Sequence, residues 1–506
     1  MTMMTNAEPR LAPTATLRSG AEVVALWSAL IAVFFVALVM RHVLAAGTDV
    51  SWLLIAAERL IDGKRLYVDI LETNPPMAVL TYVPAVLIGR ALGVSAEVVT
   101  DGLILVAIAT SLMLVSRILK YSSVGADVRQ WPLLILGAAI LAILPTQAFA
   151  QREHIAVIEL LPALAVLALR ANRDRPPLWA IGVAGLGLGL ALSFKPYFAL
   201  AILCCVGSLA VHQRNWRLLV APEFFIAAAI IGIYAACTAI FFPDYFTIIG
   251  PLMRDVYLPI GVPFAQMLQR PAVPLWGAML IVAMLLKRKP LDTTQLLPMT
   301  LSVGFGIVFL LQRKGWPYHS YPMLAFAMLA LGYAVASRNT RATHGRGVTI
   351  GAMLLMVALF VQSMSWFDRA FDAGFLQAAV ARLGPHPGIL AISGEGGIGH
   401  PLTRAVGGTW ASRHQMLLVA GYDAYARQQG TLEPAMAATL DRYAARERGW
   451  LIDDFRKAKP TVVLVDRLTG DWDAWMRESP ELIDLMKGYR LAETVMDVDV
   501  YAKRSD

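Results

Sequence analysis

Charge is scarce in this chain. Asp, Glu, Lys and Arg make up 16% of its 506 residues, where a soluble domain carries about a quarter. With 57% hydrophobic residues and a mean hydropathy of +0.59, this excludes an ordinary water-soluble enzyme and a disordered chain. Cysteine is almost missing too. Cys204, Cys205 and Cys237 sit in apolar stretches without a C-x-x-C pair or a Cys/His cluster, so neither a disulfide framework nor a zinc site is indicated. There is no internal repeat and no nucleic-acid motif. No A-x-A-like site follows a short apolar core near the start, so the first apolar run is read as a retained membrane helix and not a cleaved signal.

What charge there is falls unevenly. Residues 1–365 hold 27 Lys+Arg and 17 Asp+Glu, while residues 366–506 hold 17 and 19. The expected organisation is a tail at 1–20, a membrane body at 21–365 with a first outer loop at 46–96, and an α/β domain at 366–506. The pI near 9.4 comes from the membrane half. Apolar runs of spanning length fall near 21–45, 97–118, 131–149, 152–170, 178–194, 196–211, 218–242, 273–286, 294–312, 320–336 and 347–365. The fold class is therefore a mainly α polytopic membrane protein of about eleven transmembrane helices with a C-terminal α/β domain.

One further run, 76–92, is ambiguous. Basic clusters occur at Arg10/Arg18, Arg117/Lys120/Arg129, Arg170/Arg173/Arg175, Arg214/Arg217, Lys287/Arg288/Lys289 and Arg338/Arg341/Arg346. Positive residues favour the cytoplasmic side, and all six clusters share it only if 76–92 does not cross. That run is then a helix lying along the outer surface. The N-terminus is expected to be cytoplasmic and the C-terminal domain periplasmic.

This topology puts unusual residues on the outer side. Gln151–His154 carries Arg152, Glu153 and His154; Ser193–Tyr197 carries Lys195; Gln312–His319 carries Arg313, Lys314 and His319. Basic residues should be scarce there, and ionisable groups at membrane depth usually face a polar cavity or a partner. The plainer reading is Lys and Arg snorkelling beside Trp316 and Tyr318. The first outer loop adds Asp49, directly after the first spanning helix, then Asp69, Glu72 and Asn74 before Pro75-Pro76. Asp49 suits a general base for an acceptor hydroxyl if burial raises its pKa, and equally a helix cap for Val50–Ile61. Asp69 and Glu72 either orient a substrate or are solvated. Glu58, Arg59 and Asp62 have the spacing of an exposed helix face.

An aspartate just after the first spanning helix, a G-x-x-x-Y loop (Gly63 to Tyr67), a double proline before a surface helix and an outward C-terminal domain resemble the GT-C superfamily. These are integral-membrane glycosyltransferases using polyprenyl-phosphate-linked sugars, among them protein O-mannosyltransferases and the lipid A aminoarabinose transferase. The resemblance covers roughly 20–330. It implies an inverting transfer with Asp49 as base or orienting acid, with Asp69 or Glu72 as a second acid. Two features depart from it: Asn74 stands where relatives often have Lys or His, and Val50 follows Asp49 where many have a second acid. A leaving phosphate needs cations and donors, and Arg152, His154, Lys195, Arg313, Lys314 and His319 are the candidates. Asn74, Tyr197, Trp316 and Tyr318 are candidate substrate contacts; for the three aromatics an interfacial belt explains the pattern as well. No cofactor is required, and a divalent metal is compatible but not indicated. The implied partners are a polyprenyl-phosphate-linked sugar, a glycan, lipid or protein acceptor, and the lipid of a bacterial inner membrane. The alternatives are an O-antigen-type polymerase or ligase, and a secondary transporter, which should show repeats and broken midplane helices.

In the C-terminal part, Gly388–Ser393 and Thr461–Asp466 suit buried strands, and the tail Tyr489–Lys503 one or two more. Helices are expected at Glu433–Arg448, Leu451–Ala458 and Trp472–Gly488. The glycine-rich loop Gly394–His400 lacks the Lys-Ser/Thr of a phosphate loop, so nucleotide binding is not indicated. Ser412-Arg413-His414 suits either a substrate contact or, as the preferred reading, ordinary surface.

Overall fold

The structure is a computed structural model that describes residues 20–122, 130–286, 293–369, 373–430 and 432–504. The basic clusters at Arg10/Arg18 and Lys287/Arg288/Lys289, with Arg129, lie outside the described residues.

All eleven expected spans are helical. Among the described residues, seven helices are long and apolar enough to cross a membrane: Gly20–Val43, Ala96–Leu119, Arg152–Ala171, Trp216–Phe241, Gln295–Gln312, Pro317–Ala336 and Gly345–Phe367. The other four are the shorter apolar helices Trp131–Ala142, Leu178–Phe194, Phe198–Gln213 and Ala272–Leu285. The expected 131–149 helix ends early, at Ala142. Pro145 is the cause, since proline cannot continue the hydrogen-bond ladder and disfavours helical geometry just before it. The run 76–92 is two pieces, Met77–Leu80 and Val83–Leu92, with Pro84 opening the second. Ala78, Val79, Tyr82, Ala85 and Val86 are buried while Leu87, Ile88 and Leu92 are exposed.

The chain forms two compact units. One comprises Met1–Leu44, Thr100–Ala236 and Val262–Arg369; the other comprises Ala45–Val99, Cys237–Gly261 and Ala370–Asp506. In the first, Arg152–Ala171 and Leu178–Phe194 pack closely because the second helix is Gly-Leu-Gly-Leu-Gly-Leu in its middle. A Cβ on Gly187 would lie 2.2 Å from the Glu159 carbonyl oxygen. Small residues at such crossings let backbones approach where no water drives association.

The second unit holds a five-stranded sheet: β1 (Gly388–Ile392), β2 (Thr409–Trp410), β3 (Val462–Asp466), β4 (Tyr489–Val495) and β5 (Val498–Lys503), in the order β2-β1-β3-β5-β4. β1 pairs parallel with β2 and β3; β5 runs antiparallel to β3 and β4. β3 is buried throughout, as its Val-Val-Leu-Val run requires. Met496 and Asp497 both have positive φ, 51° and 58°, which closes the β4–β5 hairpin. The two helices expected at 433–458 are one helix, Pro434–Ala458. Leu440, Glu447, Leu451 and Phe455 form one buried face across Gly449, and that packing outweighs the glycine. Glu447 accepts hydrogen bonds from the Val419 and Ala420 N–H groups at 3.1 and 2.9 Å, while burial pushes its carboxyl up to about 7.

The glycine crossing makes a prediction. Gly187→Ala should destabilise the purified protein by roughly 1–3 kcal/mol through overpacking. Gly182→Ala, with nothing within 4 Å of its Cβ, should be neutral or slightly stabilising. Thermal melts in detergent compare the two, and equal melting points would refute the close crossing.

Candidate functional site

In the first unit, three polar turns expected on one side come together. Lys195 follows the helix Leu178–Phe194, and its Nζ donates to Glu153 Oε1 and to His319 Nε2, the latter at 3.1 Å. Glu153 Oε1 is also 3.5 Å from His319 Nε2. All three are buried, as are Arg152 and Lys314. Arg152 and Lys314 are near enough to His319 to act on it electrostatically, as Lys195 does. Three basic side chains thus surround one carboxylate and one imidazole. With Lys195 donating to Nε2, the imidazole hydrogen belongs on Nδ1, which has no hydrogen-bond partner among the described residues. Lys314 lies between two helices, and burial with the adjacent Arg313 lowers its ammonium to about 8.

The three candidate aromatics belong to the same cluster. Lys195 Nζ is 5.7 Å from the ring centroids of both Tyr197 and Tyr318. Trp316 stacks on Tyr318 at 5.9 Å, and both rings contact His319, at 5.2 and 4.6 Å. The turn has Arg313 and Gly315 at φ 52° and 68°. Glycine suits the second position, where a Cβ would also lie 2.9 Å from Arg270 Nε.

Two expected members stand apart. His154 donates from Nε2 to the Leu141 carbonyl at 2.7 Å and accepts the Ala150 N–H on Nδ1 at 3.0 Å. Both ring nitrogens are used, so it braces the turn before its own helix. Arg313 is exposed and donates to the Val262 carbonyl at 3.0 Å. Elsewhere in this unit a cavity of about 180 Å³ is lined by aliphatic side chains such as Leu112, Leu133, Leu141, Leu161 and Leu329.

In the second unit, Asp49 is in the first turn of the helix Thr48–Ile61. The capping expectation fails: Gly47 is the N-cap, and no side chain caps the helix. An acid in a helix's first turn still gains from the dipole. Asp49 Oδ1 accepts from Gln415 Nε2 at 3.2 Å, a partner 366 positions away that no local pattern announces.

The second-acid candidates are otherwise engaged. Glu72 is buried; it accepts from Trp52 Nε1 at 2.7 Å, Asn74 N at 2.8 Å and Asn74 Nδ2 at 2.5 Å. The Asn74 carbonyl in turn accepts from the Tyr67 hydroxyl at 2.9 Å. Glu72 and Asn74 therefore shape the loop before Pro75. Asp69 accepts the Arg65 N–H at 2.9 Å and closes a local turn.

The exposed face expected at Glu58 and Arg59 is instead an anchor. Arg59 donates to the carbonyls of Ser412 and Trp410, and Glu58 and Glu97 both pair with Arg404. Asp62 pairs with Arg90 at the surface. Ser412 and His414 are buried rather than on the surface; Arg413 binds Asp454, and its carbonyl accepts the Leu71 N–H at 2.8 Å. His400 lies between Trp52 and Trp410, at 5.5 and 4.6 Å, with its pKa pushed by burial down to about 3.

No family model matches the chain, and no curated protein matches it. Solved structures do. The chain is similar to ArnT from Cupriavidus metallidurans bound to undecaprenyl phosphate, at 14% identity and TM-score 0.57 over 97% of this chain and 99% of that one. It matches the apo state at 14% identity and TM-score 0.55, over 95% and 98%. A mycobacterial arabinofuranosyltransferase, AftD, matches at 15% identity and TM-score 0.43, over 94% of this chain and 40% of that one. The chain has the GT-C fold, in a multi-pass membrane protein with a small C-terminal sheet. Among the described residues, no group of His, Cys, Asp and Glu is placed to hold a metal ion.

The buried ion pair is testable. Lys195→Met strands Glu153, and breaking a buried pair from one side costs roughly 3–5 kcal/mol. Adding Glu153→Gln should restore most of the lost melting temperature. A single variant as stable as the parent would show that the pair does not form.

Proposed function

We propose that this protein is a glycosyltransferase of the bacterial inner membrane. It moves a sugar from a polyprenyl-phosphate carrier to an acceptor on the outer side, with the N-terminus cytoplasmic and residues 370–506 periplasmic. The observation that carries the reading is the buried excess of positive charge around His319, in a chain whose fold matches a polyprenyl-phosphate-binding protein over 97% of its length.

The chemistry follows from the residue types. Asp49 takes the proton of an acceptor hydroxyl as that oxygen bonds to the anomeric carbon. The bond from that carbon to the phosphate oxygen breaks, and polyprenyl phosphate leaves with the electron pair. A single displacement of this kind inverts the anomeric centre. Arg152, Lys195 and Lys314 stabilise the leaving anion, and the His319 Nδ1–H donates to it. The aliphatic cavity suits part of a hydrocarbon chain. Tyr197, Trp316 and Tyr318 offer faces for the sugar.

Purified protein should release polyprenyl phosphate from a labelled lipid-linked sugar. Asp49→Asn should slow transfer by at least about a hundredfold, in the range of a positioned base, while Asp69→Asn stays near the parent rate. Near-normal transfer by Asp49→Asn would remove Asp49 from the reaction.

The orientation has its own test. Alkaline phosphatase, active only outside the cytoplasm, should work when fused after Asp506. Activity of a cytoplasmic reporter alone at that position would overturn the topology and the outer-surface placement of 76–92 with it.

A further inference from the structure

With Asp69 and Glu72 committed to the loop, the acid beside Asp49 comes from another part of the same unit. The glycine-rich loop leaves the carboxyl end of β1 and brings Gly396 against the start of the helix Thr48–Ile61. A Cβ on Gly396 would lie 3.2 Å from Thr48 Cγ2 and 3.3 Å from Gln415 Nε2. Gln415 is the side chain that holds Asp49. The residue before Gly396 is Glu395, and it is fixed from both sides. Its N–H donates to Ser393 Oγ at 2.8 Å, and its Oε1 accepts the Gly397 N–H at 2.9 Å. Ser393 is itself held by Asp466 at the end of β3. The Glu395 side chain nevertheless remains exposed.

We propose that Glu395 is the second acid of the Asp49 site. It accepts a hydrogen bond from the acceptor through the carboxylate oxygen that Gly397 does not hold. The accepting end of the acceptor is accordingly a neutral polyol, such as a sugar, and not a phosphorylated group. This rests on the transferase reading above.

The surrounding charges support the choice of ligand. Asp466 accepts from Ser393, Leu468 and Thr469. Arg59 and Arg404 are taken by carbonyls and by Glu58 and Glu97. An anion at Asp49 and Glu395 would meet like charge, whereas hydroxyls meet acceptors. Although the side chain keeps an open side, the protein packed around the Glu395 carboxyl removes part of its water and pushes it up; the Gly397 hydrogen bond opposes this, and Asp466 and Asp49 add to it. Parallel strands ending beside a glycine loop are also where open α/β sheets commonly bind ligands.

The test uses the full-length protein with undecaprenyl phosphate carrying labelled mannose, glucose or arabinose. Neutral methyl glycosides and sugar 6-phosphates serve as acceptors. E395Q keeps an oxygen for Gly397 and removes only the acid; E395A removes both. E395Q should raise the acceptor KM roughly ten- to a hundredfold, the worth of a hydrogen bond to a charged group, and be as impaired as E395A. The parent should show an acid limb above the ordinary glutamate range, and E395Q should lack it. Methyl glycosides should be preferred to the phosphates. A near-normal E395Q beside a defective E395A would make Glu395 a loop brace and overturn the proposal, as would preference for the phosphorylated acceptors. If the parent consumes none of the donors, the transferase reading has failed and this inference falls with it.

Discussion

The Lys195 ammonium donates both to the Glu153 carboxylate and to His319 Nε2, and three turns far apart in sequence meet at it. Three cations and a histidine buried alone would be costly, because a charge removed from water needs a partner or loses its proton. Arg152 and Lys314 act on the same imidazole, and the carboxylate makes the group tolerable. It also stands in the first turn of the helix Arg152–Ala171, where negative charge is favoured. Removing the carboxylate would take away the Lys195 counter-charge in a buried cluster.

The membrane body was the most legible part of the chain. A span must be apolar for about 20 residues because the bilayer offers its backbone no other partner, and that is a local signal. All eleven runs proved helical, the exception in length being the one that Pro145 stops. The cluster of Arg152, Lys195, Lys314 and His319 was legible for a related reason. Charges among apolar runs are visible one turn at a time, and the rule that ionisable groups face each other predicts their meeting. His154 and Arg313 looked the same in sequence. Only their local backbone, through Leu141, Ala150 and Val262, takes them elsewhere.

The second unit was harder to read, because its key contacts join distant segments. Asp49 with Gln415, Arg404 with Glu58 and Glu97, and Leu71 with Arg413 each span hundreds of positions. Helical spacing marked Glu58 and Arg59 as a polar face, which is correct. It could not show that the face meets carbonyls and a guanidinium instead of water. Glu72 misled in the same way: a loop acid beside Asn74 and a double proline resembles a substrate group, yet three hydrogen-bond donors point at it from the loop and from Trp52. A buried acceptor saturated by its own loop is structural, whatever its neighbours in sequence.

The electrostatics of the two units differ. One unit gathers cations and a free imidazole Nδ1, which suits a departing anion. The other places carboxylates at a helix start and in a glycine loop, at Asp49 and Glu395. The first outer loop is the segment that carries this division in sequence. It begins with Asp49 one helix turn after the apolar run, and it is pinned at Leu71, Glu72 and Arg59 by groups of its own unit. The anchors expected as solvated surface charges therefore hold the helix that carries Asp49 to the rest of its unit.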